Sequence, residues 1–279
     1  MNLKKIFTAA ALVTAMAALA GCGGAKTNTA TKDATSKPEA ASDLAYIKDK
    51  GKMIVGYTII NPLNYRDADG KLTGFETDFA NAVSEKLGVK TDFQEIDWDS
   101  KEIELSSKKI DCIWNGMTIT DELKANTAIT VPYMENRQVL IVKADNKDKY
   151  TASLDGAKVA AEAGSAGEAL ATSSNENFKG SSFTPVDSQA KALMDVASGV
   201  SDVAVIDYIM STGSVGEGTD YANLVVIDKN FEGEEYGVAF RKGSDAAEAV
   251  NKAMKELKEE GKLDEIAAKY NLKDLLIIK

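Results

Sequence analysis

Short β-prone runs alternate with amphipathic stretches from residue 52 to the end of the chain. Phe75, Phe79, Val83 and Leu87 recur every four residues, which predicts a helix that Gly88 terminates. Strands that alternate with such helices are typical of α/β layering. The predicted strands span 52–57, 90–96, 110–114, 157–161, 182–186 and 203–206.

The six predicted strands form two sets with the same order of elements. Residues 97–100 (DWDS) match 186–188 (VDS), and residues 110–113 (IDCI) match 201–204 (SDVA). We therefore expect two lobes, each a mixed sheet flanked by helices and built on one strand-helix-strand-helix-strand plan. In open α/β sheets ligands bind beyond the carboxyl ends of the strands, so a cleft between the lobes is the expected binding site.

Two further β-rich runs, 138–143 and 237–241, flank the second set of strands. They predict two crossings of the chain between the lobes, with the C-terminal segment returning to the first lobe. The expected first lobe comprises 43–140 and 239–279, and the expected second lobe comprises 141–238.

The first residues carry a secretion pattern. Lys4 and Lys5 precede an apolar stretch, 6–19, that is too short for a comfortable membrane span but suits the core of a signal peptide. The sequence LAGC that ends at Cys22 resembles a bacterial lipoprotein signal, in which residues 1–21 are removed and the cysteine thiol receives a diacylglyceryl group. The alternative is an ordinary signal peptide with an incidental cysteine.

The lipoprotein interpretation predicts an extracytoplasmic protein that fatty acyl chains on Cys22, such as palmitate, anchor to the lipid of the cell membrane. Residues 22–42 contain almost no large apolar side chain. Such a segment cannot bury enough surface to offset the entropy of ordering it, so we expect a flexible tether.

The composition of the chain argues against several classes of function. The formal net charge is −10 and no basic stripe is present, so nucleic acid is not an expected partner. The chain has no histidine, the usual general base and the commonest metal ligand, which argues against an enzyme and a metal site. Cys22 and Cys112 are the two cysteines, and since lipidation uses the first, we expect no disulfide and a buried, apolar role for Cys112.

Five sequence elements occur in a telling order. They are 64–78 (NYRDADGKLTGFETD), 110–122 (IDCIWNGMTITDE), 132–133 (PY), 235–243 (EYGVAFRKG) and the closing amphipathic helix. Together, over about residues 43–271, they resemble the polar amino-acid solute-binding proteins of ABC importers, family 3. The resemblance implies a two-lobed, type II periplasmic-binding-protein-like fold. It also implies a monomer that clamps a free amino acid and delivers it to ABC permease subunits, without catalysis or a cofactor.

Two other classes remain as alternatives. A dehydratase-type enzyme on the same fold would use Glu162, Asp207 and Lys124 as acid and base. A sensory ligand-binding domain is normally joined to a membrane span, and no second apolar run of sufficient length occurs in the sequence.

The resemblance also assigns site residues. Asp207, at the end of a predicted strand, matches the family's acceptor for the ligand's α-ammonium, although it could instead cap the helix that follows. The first lobe's binding loop matches Gly116, Met117 and Thr118, next to Asn115. In the second lobe, a helix start whose free N–H groups favour an anion matches Ser165, Ala166 and Gly167.

The chain departs from the family at Leu123. The family has an arginine there that binds the ligand's carboxylate, and leucine cannot make a bidentate ion pair. Lys124, Arg137 or the helix-start N–H groups could replace it, and the planar guanidinium of Arg137 is the preferred substitute. The remaining possibility is a ligand that is not an ordinary α-amino acid.

Three other side chains are candidates for the ligand's side-chain pocket. Trp114 at a strand end could stack on the ligand or cover a cation, or simply pack in the core, and Tyr57 is a similar candidate. Glu162 matches a position that reaches the ligand in relatives, or it is a solvated charge. With Asp207 it predicts a polar or cationic side chain in the substrate.

Overall fold

In the computed structural model, residues 42–278 are described. The predicted signal peptide, Cys22 and all of the predicted tether except Ser42 lie outside them. Within 42–278, no helix combines the length and the apolar character needed to cross a membrane.

The structure is built from strands and helices that alternate along the chain. The strands are Lys52–Tyr57 (β1), Tyr65–Arg66 (β2), Leu72–Thr73 (β3), Lys90–Glu95 (β4), Cys112–Ile113 (β5), Thr127–Ile129 (β6), Met134–Lys143 (β7), Lys158–Glu162 (β8), Ser182–Val186 (β9), Val203–Asp207 (β10), Leu224–Ile227 (β11), Gly233–Tyr236 (β12) and Ala239–Arg241 (β13). The α-helices are Asp43–Asp49 (α1), Phe75–Leu87 (α2), Lys101–Ser106 (α3), Asp121–Asn126 (α4), Lys147–Ala152 (α5), Ala166–Ala171 (α6), Gln189–Ser198 (α7), Tyr208–Ser214 (α8), Ala246–Glu259 (α9) and Lys262–Lys269 (α10).

The first lobe contains a sheet in the order β4-β1-β5-β13-β6. β1 is parallel to β4 and β5, whereas β13 runs antiparallel to its neighbours β5 and β6. The predicted apolar stripe of α2 is completely buried at Phe75, Phe79 and Val83. The helix ends where Gly88 takes a φ of 75°, a left-handed conformation that glycine adopts without strain.

The second lobe contains a sheet in the order β11-β7-β10-β8-β9. β8 is parallel to β9 and β10, and β7 is antiparallel to β10 and β11. All five residues of β10 are buried, as expected for a central strand that helices cover on its faces. The Ser188 hydroxyl caps the N-terminus of α7, which ends at Gly199.

The predicted internal repeat is confirmed. The orders β4-β1-β5 and β9-β8-β10 place equivalent strands at equivalent positions in the two sheets, with α2 and α3, or α6 and α7, connecting them. The mixed α/β, two-lobed architecture is therefore the one expected from the sequence.

The chain passes between the lobes twice. It leaves the first sheet after β6 and returns between β12 and β13, and Gly233–Tyr236 pairs antiparallel with the start of β7. β7 is a continuous strand of ten residues whose Leu140 pairs with Val205 and Ile227 of the second sheet. The expected boundary after residue 140 thus falls inside this strand, whose first residues, 134–137, pair with β12 and belong to the crossing.

Arg241 fixes the returning strand in the first lobe. Its guanidinium donates to Asp43 Oδ1 at 2.8 Å, to Asp111 Oδ1 at 3.1 Å and to the carbonyl oxygen of Ile110 at 2.7 Å. The Asp111 side chain is fully buried and also binds Lys50. These contacts join α1, β13 and the entry to β5 in one charged cluster.

Candidate functional site

A cavity of about 280 Å³ lies between the two lobes. The first lobe contributes the region after β5, the start of α3 and the start of α4, and the second lobe contributes the ends of β8 and β10 and the starts of α6 and α7. Its walls are formed by Ile60, Trp98, Lys101, Glu102, Asn115, Gly116, Met117, Thr118, Thr120, Glu122, Leu123, Glu162, Gly164, Ser165, Ala166, Glu168, Ala169, Gln189 and Asp207.

The fold brings these segments together because parallel strands direct their carboxyl ends to one edge of a sheet. Glu162 is the last residue of β8, and Asp207 is the last residue of the adjacent β10. Asn115 follows β5 in the facing lobe. The cavity therefore lies beyond the carboxyl ends of the strands, where ligands bind in open α/β sheets.

Asp207 is held by side-chain amides. Its Oδ1 accepts hydrogen bonds from Asn136 Nδ2 at 2.8 Å and Gln138 Nε2 at 2.7 Å, and Gln189 Nε2 donates to its Oδ2. The residue occupies the N-cap position of α8 but makes no capping hydrogen bond. Burial raises the pKa of the Asp207 carboxyl, and the amide donors, which favour the charged form, oppose that shift.

Glu234 shares the same amides from the strand that returns to the first lobe. Its Oε1 accepts a hydrogen bond from Gln138 Nε2 at 2.8 Å and another from Asn136. Burial, and then the charge of Asp207, raises the pKa of Glu234 to about 7. Two carboxyl groups that share donors beside the cavity make this region strongly receptive to a cation or a proton.

Glu162 is the second carboxyl group that lines the cavity. The residue is 2% exposed, and its Oε1 has no hydrogen-bond partner among the described residues. Burial, and then the charge of Asp207, raises the pKa of Glu162 to about 8. A buried carboxyl oxygen without a partner is costly, and a ligand that supplies an N–H or cationic group satisfies it and at the same time favours the charged form of Glu162.

The loop after β5 has a rigid support. Asn115 Oδ1 accepts from the Thr58 amide at 2.9 Å, and the N–H of Gly116 donates to Glu76 Oε1 at 2.8 Å. Burial raises the pKa of Glu76 to about 7, although hydrogen bonds from Tyr133, Gly116 and Asn64 oppose the shift. The buried carboxyl thus fixes the loop that presents Gly116 to the cavity.

The start of α6 is capped from within. Ser165 Oγ accepts from the Glu168 N–H at 3.2 Å, while Glu168 Oε2 accepts from the Gly164 N–H at 2.6 Å. This arrangement is similar to a capping box, except that Glu168 accepts from the residue before the N-cap, and it places a carboxylate at the helix start. Gly167 is buried against the second sheet, where an added Cβ would lie 2.9 Å from the carbonyl oxygen of Val205.

Lys101 links the two lobes. From the start of α3 its Nζ donates to the carbonyl oxygen of Gly164 in the second lobe at 2.9 Å and to that of Trp98 at 3.2 Å. The ammonium lies 4.8 Å from the centroid of a Trp98 ring. Burial lowers the pKa of Lys101, while the charges of Glu102, Asp99, Glu162 and Glu122 act in the opposite direction. Asn61 Nδ2, which donates to the carbonyl oxygen of Gly213 at 2.8 Å, is a second link between the lobes.

The structure brings most of the predicted site residues together. Those that line the cavity are Asn115, Gly116, Met117, Thr118, Glu162, Ser165, Ala166 and Asp207. Lys101, Gln189 and Leu123 line it as well, and Glu234 adjoins it, although none of the four is among the predicted ligand contacts. The internal repeat carried a signal for two of them, because aligning Ser100 with Ser188 aligns Lys101 with Gln189.

Two predicted aromatic walls lie elsewhere. Trp114 is fully buried and packs in a T-shaped contact with Phe79, with 5.2 Å between ring centroids, so it belongs to the core of the first lobe. Tyr57 is also buried, packs edge-on against Phe93 and directs its hydroxyl toward Arg66 and Glu95. Trp114 contacts Phe79 of α2 and the Tyr57 ring contacts Phe93 of the adjacent strand β4, and neither residue lines the cavity.

The preferred substitute for the family arginine is also turned away from the cavity. Arg137 donates to Asp228 Oδ2 from Nε at 3.0 Å and from Nη2 at 2.7 Å. Its guanidinium carbon lies 3.8 Å from the centroid of the Tyr208 ring. Lys124 pairs with Asp121 at the surface, where its side chain is 58% exposed. Gly167 does not line the cavity either, so of the predicted helix-start group only Ser165 and Ala166 do.

Comparison with known proteins places this geometry in a family. The model of the bacterial extracellular solute-binding proteins, family 3, matches residues 53–273. The L-cystine-binding protein TcyA of Bacillus subtilis (strain 168) is 33% identical over 279 residues, which cover 96% of this chain and 97% of that protein.

Two solved structures are similar in fold and sequence. The substrate-binding protein of an ABC uptake transporter from Streptococcus pneumoniae with bound histidine has a TM-score of 0.76 and 28% identity, covering 85% of this chain and 98% of that one. An ancestral amino acid-binding protein, AncCDT-1, described as a precursor of cyclohexadienyl dehydratase, has a TM-score of 0.73 and 32% identity, covering 82% of this chain and 99% of that one. The chain belongs to the bacterial extracellular solute-binding proteins, family 3.

Proposed function

We propose that this protein is the substrate-binding component of an ABC importer and that it clamps a free amino acid between its lobes. The observation that carries the proposal is the cavity at the carboxyl ends of β5, β8 and β10, with Asp207 and Glu162 in its wall. Family membership, and the amino acids named for the similar proteins, support the same conclusion.

Asp207 is the acceptor for the ligand's α-ammonium. Its carboxylate is buried, it is held in place by three amides, and it makes no ion pair with a described residue. The ammonium of a bound amino acid supplies the missing positive charge, and the ion pair offsets the free-energy cost of desolvating both groups. On the opposite wall, the loop at Gly116, Met117 and Thr118 offers the backbone and hydroxyl of Thr118 to the same head group, while the Gly116 N–H and the Met117 carbonyl are bonded to other residues and hold the loop in place.

The substrate's side chain is polar or cationic. Glu162 presents an unpartnered buried oxygen to the cavity, and an apolar side chain would leave that oxygen unsatisfied. The similar proteins are named for cystine and for bound histidine, two amino acids whose side chains carry groups able to donate to a carboxyl oxygen. We therefore expect an amino acid with a side-chain N–H donor or ammonium group.

Binding takes place without a chemical step. We expect the bound amino acid to be released unchanged, since the family and the similar proteins are named for binding. The decisive experiment adds each of the twenty amino acids, and cystine, to purified protein that has been unfolded, dialysed and refolded. Melting temperature should rise for a small set of them, because a ligand at a hundred times its dissociation constant stabilises the folded state by about 2.7 kcal/mol.

Recovery of the ligand separates a receptor from an enzyme. After a day with the protein, the stabilising amino acid should give an unchanged proton NMR spectrum, whereas a dehydratase would produce new signals. A protein that is stabilised by none of the compounds would contradict the proposed function.

We also propose that Cys22 carries the lipid anchor and that the tethered protein delivers its ligand to permease subunits in the same membrane. The support is the sequence around Cys22 and the extracellular character of the family. A Cys22→Ser protein should appear in the medium or the soluble extracytoplasmic fraction, while the parent protein sediments with membranes and carries acyl mass, since two or three acyl chains suffice for stable anchoring. Membrane association of both forms would contradict this assignment.

A further inference from the structure

We propose that Lys101 binds the carboxylate of the ligand, in place of the arginine that Leu123 replaces. The inference rests on the proposed function and adds to it a specific cationic partner, located in the first lobe at the start of α3.

The wall of the cavity is strongly acidic. The described lining contains five carboxyl groups and one basic side chain, that of Lys101; the acidic residues are Glu102, Glu122, Glu162, Glu168 and Asp207. A zwitterionic ligand brings a negative group into this acidic chamber. That group needs a cationic or N–H partner, because an unpaired buried carboxylate is strongly disfavoured.

Lys101 is buried and has no carboxylate partner among the described residues. Lys101 is 9% exposed, and no described carboxylate lies within the 4 Å of its Nζ that would make an ion pair. Two carbonyl oxygens, of Trp98 and Gly164, accept from the ammonium, which has three N–H groups. One N–H is thus left for a group in the cavity, and the ammonium has no carboxylate in direct contact, so the carboxylate of a ligand would satisfy both the N–H and the charge.

Contacts with both lobes position the ammonium of Lys101. The two carbonyl acceptors and the Trp98 ring hold the Lys101 ammonium at the junction of the lobes, next to the start of α6 and in the same cavity wall as Leu123. The bond to Gly164 crosses the cleft, so this contact of the ammonium forms only when the lobes are together. Lys101 therefore couples recognition of the carboxylate to closure.

The other cationic candidates are engaged in contacts of their own, and the start of α6 offers N–H groups but no positive charge. Arg137 is engaged with Asp228 and the Tyr208 ring, and Lys124 lies at the surface beside Asp121. At the start of α6, the N–H of Gly164 already donates to Glu168. Lys101 is the basic residue among 42–278 that the cavity wall holds.

Calorimetry with paired ligands tests the proposal. The ligands are the amino acid found in the screen and its carboxamide, which keeps the ammonium and side chain but lacks the negative charge. Lys101→Met should weaken binding of the amino acid by about 30-fold or more, the loss expected when a buried charged partner is removed. The same change should alter carboxamide binding by less than about threefold. Lys124→Met and Arg137→Met are matched controls that should bind both ligands as the parent protein does.

A second variant restores the charge by another route. Leu123→Arg in the Lys101→Met protein should recover at least about tenfold of the lost affinity for the amino acid and none for the carboxamide. Each variant is first shown to unfold cooperatively. Equal losses for both ligands would mean that Lys101 only joins the lobes, and an unchanged affinity would mean that it has no role; either result overturns the proposal. A parent protein that binds no amino acid would instead overturn the proposed function, and this assignment with it.

Discussion

Replacing Glu162 with glutamine should change how the stability of the ligand-free protein depends on pH. The carboxyl of Glu162 has a folded-state pKa raised to about 8 from an ordinary value of 4.5, because burial and the nearby Asp207 both disfavour its charge. Between those two values the folded protein holds a proton that the unfolded chain has released. Stability therefore falls as pH rises through this window and levels off above about pH 8.

The size of the effect follows from the shift. While the folded state holds one more proton than the unfolded state, the free energy of unfolding falls by about 1.4 kcal/mol per pH unit. Between about pH 5 and pH 8 the carboxyl thus removes up to about 4 kcal/mol of stability. Glutamine has nearly the same shape and carries no charge at any of these pH values. Glu162→Gln should therefore gain stability over the parent protein as pH rises, with the difference largest near pH 8.

Urea denaturation of the parent and Glu162→Gln proteins measures this difference. Bound ligand is first removed in denaturant, and the titrations are then made at unit steps between pH 5 and pH 8. Glu259→Gln is the control for the loss of one surface carboxylate, since the side chain of Glu259 on α9 is 65% exposed. Parallel pH profiles for the parent and Glu162→Gln proteins would refute the reasoning, because they would mean that the buried carboxyl is no harder to ionise than one in the unfolded chain.

Three further outcomes test the site and the fold. Asp207→Ala should cost about 2 to 5 kcal/mol of ligand binding by calorimetry, and an affinity within about threefold of the parent would contradict its assignment. Gly74→Ala should lower the free energy of unfolding by at least about 2 kcal/mol, because the residue has a φ of 129° and its new Cβ would lie 2.2 Å from the carbonyl oxygen of Leu63. Gly70→Ala, with a φ of 77° but open space around it, should cost about 1 kcal/mol in the same urea titration, and equal losses would contradict the steric account. Arg241→Met should cost about 2 to 3 kcal/mol, because it removes one of the two cationic partners of buried Asp111 together with the donors to Asp43 and to the Ile110 carbonyl oxygen, whereas Lys52→Met, which breaks a half-exposed pair, should cost less than about 1 kcal/mol. Comparable melting temperatures for those two variants would contradict the role given to the cluster.

Much of the fold could be predicted because its determinants are local and repeated. The apolar stripe of α2 has a helical period, Gly88 marks its end, and the serine before α7 is its N-cap. Duplication of the strand order fixed the relation between the two halves. The limit of the first lobe was harder, because β7 runs without a break from the crossing into the second sheet, and neither a glycine nor a change in composition marks the point where its partners change.

Parts of the site could be predicted from strand ends. Asp207, Glu162 and the loop after β5 come directly after apolar strands, and the carboxyl ends of parallel strands share one edge of a sheet. The direction in which a side chain points at a strand end could not be predicted in the same way. Trp114 and Asn115 are adjacent, yet the first packs in the core against Phe79 and the second lines the cavity, because successive residues of an extended chain face opposite sides.

The partner for the ligand's carboxylate could not be read from neighbouring sequence, because it depends on contacts between distant segments. Arg137 has the better chemistry for a carboxylate, but Asp228 and Tyr208, far along the chain, hold it outside the cavity. Lys101 forms no ion pair with a described carboxylate, and its ammonium donates to the carbonyl oxygen of Gly164 in the other lobe, which places it in the cavity wall. A charge is available to a ligand only where the rest of the fold leaves it unpaired, and that property belongs to the closed pair of lobes rather than to a motif.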